Sequence, residues 1–228
     1  MMSLYFWLDI LSISVPLLVS FHPRIRLHHY WKSLFSAIAL SMIPFIIWDI
    51  YFTIHKIWGF NPDYLSQTYI LHLPVEEWLF FICVPYACVF THEALMVLTK
   101  NAHLTPKITK IITVLLLLVF GLVLVFHFDL AYTAVNMIFG IIILLLAYRY
   151  NPGLLSSFYL TFLVMLIPFF IVNGILTGTG IENEVVWYNN DENLGIRMLT
   201  IPIEDSVFAF SLILLNLLLF KKLKQFDV

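Results

Sequence analysis

Glu76 and Glu77 follow Pro74 and Val75 at the head of a long apolar stretch, and Glu204 and Asp205 follow Pro202 and Ile203 at the head of another. Upstream of the first pair, Asp49 lies five residues after Pro44; upstream of the second, Asn173 lies five residues after Pro168. A buried carboxyl can give a proton to carbon when it is neutral and take one back when it is ionised. An ionisable group within a bilayer costs about 2.5–3.5 kcal/mol on insertion scales, so several at one depth mark a place where protons are handled. A proline followed by two acids is also a good helix start, with the acids favoured by the helix dipole. One such step would carry no more than that. Its recurrence at a matched position, with Asp49 and Asn173 beside it, favours a site, and the candidate proton-transfer residues are Glu76, Glu77, Glu204 and Asp205. Because a helix N-terminus stabilises the carboxylate, a donor here has to be held neutral by desolvation or by a like-charged neighbour.

The loops before these two pairs are rich in aromatics. The first holds Trp58, Phe60, Asn61, Pro62 and Tyr64; the second holds Trp187, Tyr188, Asn189, Asn190 and Arg197. Interfacial belts account for part of this, and the rest suits a lid or an aromatic-walled pocket. Arg197 is expected to pair with a site carboxylate and, with Asp49 and Asn173, to orient the acids. Other polar groups promise less. Cys83 and Cys88 read as small buried hydrophobes. His92-Glu93 lacks the second histidine of a zinc-protease helix, and Gly178-Thr179-Gly180 follows a span rather than a strand. His28-His29 sits in a basic loop, and Asn190–Asn193 reads as a solvated turn. No metal site and no cofactor is expected.

The elements that must carry these residues are membrane helices. The chain is 61% hydrophobic and only 11% charged, against about 25% charged in soluble domains. Its net charge of −2 points away from a nucleic-acid partner. About 20 apolar residues cross a bilayer, which predicts spans near 4–20, 33–54, 74–98, 108–126, 129–148, 154–176 and 201–220, with a tight turn at His127-Phe128-Asp129. The N-terminus has no basic leader and no small-residue cleavage site, so the first span reads as retained. Arg24, Arg26, Lys32, Lys100, Lys107, Lys110, Arg149, Lys221, Lys222 and Lys224 fall on one side; only Lys56 and Arg197 fall on the other. That bias puts the N-terminus outside and the C-terminus in the cytoplasm. The matched motifs divide the chain into residues 1–100, a three-helix repeat; 101–128, a linking helix; and 129–228, a second three-helix repeat. One linking helix makes the repeats parallel, related by an axis along the membrane normal. The expected fold is all-α, a seven-transmembrane-helix bundle of the 3+1+3 kind.

Trp48-Asp49, Pro74-Val75-Glu76-Glu77, Asn173-Gly174-Ile175-Leu176-Thr177, Tyr188-Asn189, Gly195-Ile196-Arg197 and Pro202-Ile203-Glu204-Asp205, taken in order over about residues 40–210, resemble the carotenoid lycopene cyclases of the small integral-membrane type. In some bacteria of that family each three-helix unit is a separate polypeptide, and fungal bifunctional enzymes carry the pair as a domain. The resemblance implies a lycopene β-cyclase, an isomerase that turns the ψ ends of lycopene into β-rings without redox chemistry or cofactor. It implies catalytic roles for Glu76, Glu77, Glu204 and Asp205, with Trp48, Asp49, Asn173, Tyr188, Asn189 and Arg197 binding or orienting the substrate. The substrate is a hydrophobic carotenoid taken from the bilayer, the location is a prokaryotic inner membrane, and other carotenoid-pathway enzymes are expected neighbours. The reaction protonates C2 of the terminal double bond, closes C6 onto the C1 cation and removes the C6 proton. It needs an acid, an acceptor and a dry wall that tolerates a cation. Which carboxyl donates stays open at this point.

Two other classes compete. Small-solute transporters of the 3+1+3 type share the topology, but the sugar carriers among them usually show a Pro-Gln step where this chain has Pro-Val-Glu-Glu and Pro-Ile-Glu-Asp. Retinal proteins need a lysine within the last span, and here Lys221 and Lys222 lie only at its cytoplasmic end.

Overall fold

The computed structural model describes residues 3–226, which include the whole of the expected first span. Seven α-helices make up the body: α1 Leu4–Val19, α2 Trp31–Ile54, α3 Val75–Leu98, α4 Pro106–Phe126, α5 Ala131–Tyr150, α6 Pro152–Leu176 and α7 Glu204–Leu223. Local chemistry sets their ends. Thr105 caps α4 and Asn151 caps α6, each with a proline in the first turn, where the missing N–H costs nothing. The break at residues 127–130 separates α4 from α5 as expected, and the Glu192 carboxylate accepts from Ala131 N at 3.1 Å at the head of α5.

Among the described residues, six helices are long and apolar enough to cross a membrane. The chain is therefore an all-helical protein with the build of a multi-pass membrane protein. α1 falls within a residue of its expected bounds but is not among the six. Its 16 residues reach about 24 Å at 1.5 Å per residue, short of the ~30 Å hydrocarbon core. The Ser3 cap fixes its start and the Ser20–Pro23 turn ends it. Trp7, Leu11, Val15 and Leu18 form an exposed apolar stripe along it, while Tyr5, Leu8 and Asp9 face inward.

α1 packs on α3, and α5 packs on α7; α2 packs on α7, and α3 on α6. α4 lies against α5 with most of its surface exposed and apolar. On the basic side, Glu93 of α3 holds Lys221 and also Lys224 at 2.9 Å, fastening the end of α7 to α3.

Short strands organise the two polar loops: β1 Trp58–Phe60, β2 Tyr69–Ile70 and β3 Leu73–Pro74 before α3; β4 Val186–Tyr188, β5 Arg197–Met198 and β6 Ile201–Pro202 before α7. β2 pairs with β3 and β5 with β6, each a local hairpin leading into a helix. β1 crosses to pair with β4 antiparallel, centred on Gly59 opposite Trp187. Asn61 N donates to Val185 O at 2.8 Å and Asn189 N to Ile57 O at 2.9 Å, extending the ladder equally at both ends.

Candidate active site

The first turn of α3 sends its two acids in different directions, because neighbouring positions on a helix do not face the same way. Glu76 is fully buried and accepts from Ser3 Oγ at 2.6 Å and Ser66 N at 2.7 Å, tying α1 and the preceding loop to the head of α3. Glu77 accepts from the Tyr5 hydroxyl of α1 at 2.6 Å. It also meets the carboxyl of Asp49 from α2, side chain to side chain. Asp49 Oδ1 accepts from Trp58 Nε1 at 2.7 Å, but no N–H or O–H is aimed at its Oδ2. Two carboxylates have no proton with which to bond each other, so the Asp49–Glu77 contact is a hydrogen bond only when the pair holds a proton.

The head of α7 repeats this plan with one chemical difference. Glu204, also fully buried, accepts from Thr133 Oγ1 and Leu194 N, both at 2.7 Å, as Glu76 does from Ser3 and Ser66. Asp205 stands where Glu77 stands in the first half. Its Oδ1 accepts from the Tyr132 hydroxyl of α5, and its Oδ2 accepts from Asn173 Nδ2 of α6 at 2.7 Å and from the Tyr188 hydroxyl of β4 at 2.9 Å. Three donors converge on this carboxyl, and the partner facing it is an amide where Glu77 faces an acid. Burial, and after it the charge of Asp205, push the Tyr188 hydroxyl well above the ordinary tyrosine value, so Tyr188 donates to Asp205 without ionising.

Glu77 and Asp205 open onto one cavity of about 560 Å³. Its upper walls are Tyr5, Trp58, Tyr132, Tyr188 and Phe208; its lower part runs between α1 and α6 past Ser12, Val15, Met165 and Phe169 to Cys88 and Thr91. Leu11 and Val15 of α1 and Ile171 of α6 belong to this lining and are also exposed on the apolar outer surface. Trp48 stands behind the wall: it stacks parallel to Trp58 at 6.2 Å and edges onto Phe208 at 5.2 Å. With Phe45, Phe52 and Phe139 it forms a continuous aromatic packing beneath the acids.

Of the residues expected from sequence, Glu77, Asp205, Asn173 and Tyr188 line the cavity, and Asp49 reaches it through Glu77. Glu76 and Glu204 do not line it; they hold loop and helix together. Asn189 caps a turn, its Oδ1 accepting from Asp191 N at 3.1 Å. Among the described residues Arg197 pairs with no carboxylate, contrary to expectation. It donates to Asn190 Oδ1 at 2.6 Å and Thr200 O at 3.3 Å, and its guanidinium lies 5.4 Å from the Tyr188 ring centroid. The hairpin β5–β6 holds Arg197 on the loop side of Tyr188, away from the acids.

Sequence reasoning missed Tyr5 and Tyr132, which look like ordinary belt aromatics until the fold aims them at Glu77 and Asp205. It also missed Asp9 of α1, 1% exposed and with neither oxygen partnered among the described residues. An aspartate in an apolar span was itself the signal. Asp9 lies four residues after Tyr5, as Asn136 lies four after Tyr132, so the first half again carries an acid where the second carries an amide. Among the described residues no cluster of metal-ligating side chains occurs.

Fold and cavity define a polytopic membrane protein with paired carboxyl-bearing helix heads around one apolar chamber. A family model described as lycopene cyclase matches residues 2–95 and 129–223. The chain belongs to the lycopene cyclase family, and with it comes a carotenoid cyclase role. The two matched segments carry one acid pair each, Glu76-Glu77 and Glu204-Asp205, and leave α4 between them. No curated protein and no solved structure matches the chain.

Proposed function

We propose that this chain is a lycopene β-cyclase, an isomerase that forms β-rings at the ψ ends of lycopene by proton transfer alone. The observation that carries this reading is the unlike pair of carboxyls on one apolar cavity: Glu77 joined to a second acid, Asp49, and Asp205 surrounded by three donors. An acid–acid pair retains a proton to give. A carboxyl that accepts three hydrogen bonds is stabilised as an anion and is a weak base. A weak base suffices, because a proton next to a carbocation leaves readily.

The steps follow from those roles. Glu77, sharing its proton with Asp49, protonates C2 of the terminal C1=C2 bond. The positive charge at C1 is taken up by the C5=C6 electrons, which form the C1–C6 bond and move the cation to C5. Asp205 removes the C6 proton, leaving the C5=C6 bond of a β-ring. The proton gained and the proton lost balance, so no cofactor enters the cycle. Trp58, Tyr132 and Phe208 offer ring faces to the cation, each worth up to about 2 kcal/mol when desolvated. Glu76 and Glu204 hold the two helix heads at the spacing this requires.

The architecture suits that chemistry as a 3+1+3 bundle. α1–α3 and α5–α7 are read as parallel repeats with α4 as linker, and the matched clasps at Glu76 and Glu204 support the pairing. The N-terminus is read as outside and the C-terminus as cytoplasmic, in a prokaryotic cell membrane. Lycopene enters sideways from lipid along the seam of α1 and α6, and other carotenoid-pathway enzymes are expected to supply it. Expression in lycopene-accumulating cells tests the reading: chromatography should show γ- and β-carotene replacing lycopene. Unchanged lycopene beside a well-expressed, membrane-inserted chain would refute it.

A further inference from the structure

Tyr188 faces two spaces. With Asp205 and Phe208 it bounds the apolar cavity. It also bounds a smaller polar vestibule of about 210 Å³ among the loops, whose other walls include Glu184, Asn190, Arg197 and Thr200. Its ring is pinned from several directions. The hydroxyl donates to Asp205, Trp58 packs edge-on at 5.9 Å, and Arg197 caps the ring on the vestibule side. Only Val186 shares both linings with it.

The position matters for the reason a cation matters. Once C2 is protonated, the C1 cation has two partners of comparable appeal. The C5=C6 bond closes the ring. Water instead forms a C1–O bond and passes its extra proton to a base, leaving a tertiary alcohol. Both branches are redox-neutral, and both begin with the same proton from Glu77. The outcome depends on whether water can reach C1 before the chain folds onto it. Polar walls hold water on one side of Tyr188, and apolar walls exclude it on the other.

We propose that Tyr188 is the partition that decides between ring closure and hydration, so that removing its side chain turns the cyclase into a carotenoid 1,2-hydratase. The inference rests on the donor role of Glu77 given above. Arg197 contributes by pinning the ring, which gives a role to a half-exposed cation that pairs with no acid among the described residues.

The test is product analysis by chromatography and mass spectrometry in lycopene-making cells. Tyr188→Phe keeps the ring and loses one donor to Asp205; it is expected to form β-rings only, more slowly. Tyr188→Ala opens the wall and is expected to yield carotenoid one water heavier than lycopene, hydroxylated at C1, as the main new product. Val186→Gly, which opens the wall beside Tyr188 and leaves the Asp205 donors in place, is expected to give the same alcohol in smaller amount. Rings alone from both openings, or no alcohol from either while Tyr188→Phe still cyclises, would overturn the partition. The double variant Glu77→Gln/Tyr188→Ala should give neither ring nor alcohol. Alcohol from it would refute the donor assignment while leaving the partition standing.

Discussion

At the scale of single residues, the two cavity carboxyls differ in the group each one faces. Glu77 faces Asp49, and Asp205 faces Asn173. An amide donates to a carboxylate and frees it of a proton, whereas an acid shares one. Asp49→Asn would give the first half the chemistry of the second, with Glu77 held as an anion like Asp205. Cyclisation is expected to fall by about 10²-fold or more, the range of a lost general acid, with the protein still inserted and folded; pigment formed per unit of membrane protein measures it. Much of this contrast was legible beforehand, since Asp49 and Asn173 occupy matched places after Pro44 and Pro168. What could not be read was which acid of each pair faces the chamber. Adjacent residues point apart on a helix, and only the packing of α1 on α3 and of α5 on α7 tells Glu77 from Glu76 and Asp205 from Glu204.

At the scale of elements, the helices were legible to within a few residues because lipid imposes a length on an apolar run. α1 also falls within a residue of its expected bounds, but at 16 residues it is shorter than a full crossing. The loops were opaque for a different reason. The β1–β4 ladder joins segments far apart in the chain, and three-residue strands leave too short an alternation to read. This ladder is a crossing point of the two halves, and it depends on Gly59: a Cβ there would stand 2.3 Å from Cζ2 of the Trp187 indole. Gly59→Ala is expected to lower the thermal unfolding midpoint in detergent. Pairing it with Trp187→Ala should recover part of the loss; no change in the single variant would contradict the close crossing. Glu76→Ala leaves the buried Ser3 hydroxyl without its acceptor, at a cost of about 1–3 kcal/mol for a buried donor. It is expected to destabilise the protein with residual cyclisation, since Glu76 is not among the residues lining the cavity.

At the scale of the whole molecule, the apolar surface and the apolar chamber join where α1 and α6 flank the lower cavity. A carotenoid never needs to cross water if it slides between these helices. Leu11→Trp and Ile171→Trp narrow the seam and are expected to raise the lycopene concentration needed for half-maximal rate by severalfold. Leu18→Trp, on the exposed face of α1 but not on the cavity, should leave it unaltered. Equal effects from all three would argue against lateral access. α4 lies against α5, whereas α1 carries its exposed apolar stripe beside the seam.

Purified protein in lycopene-loaded vesicles, compared with its Glu77→Gln and Glu76→Gln variants, puts the proton-donor assignment to the sharpest trial. The readout is the fraction of lycopene converted to ringed product at matched protein levels. The account predicts loss of nearly all conversion with Glu77→Gln and substantial conversion with Glu76→Gln, where the amide oxygen still accepts from Ser3 and Ser66. Rings formed at the normal rate by Glu77→Gln would contradict it.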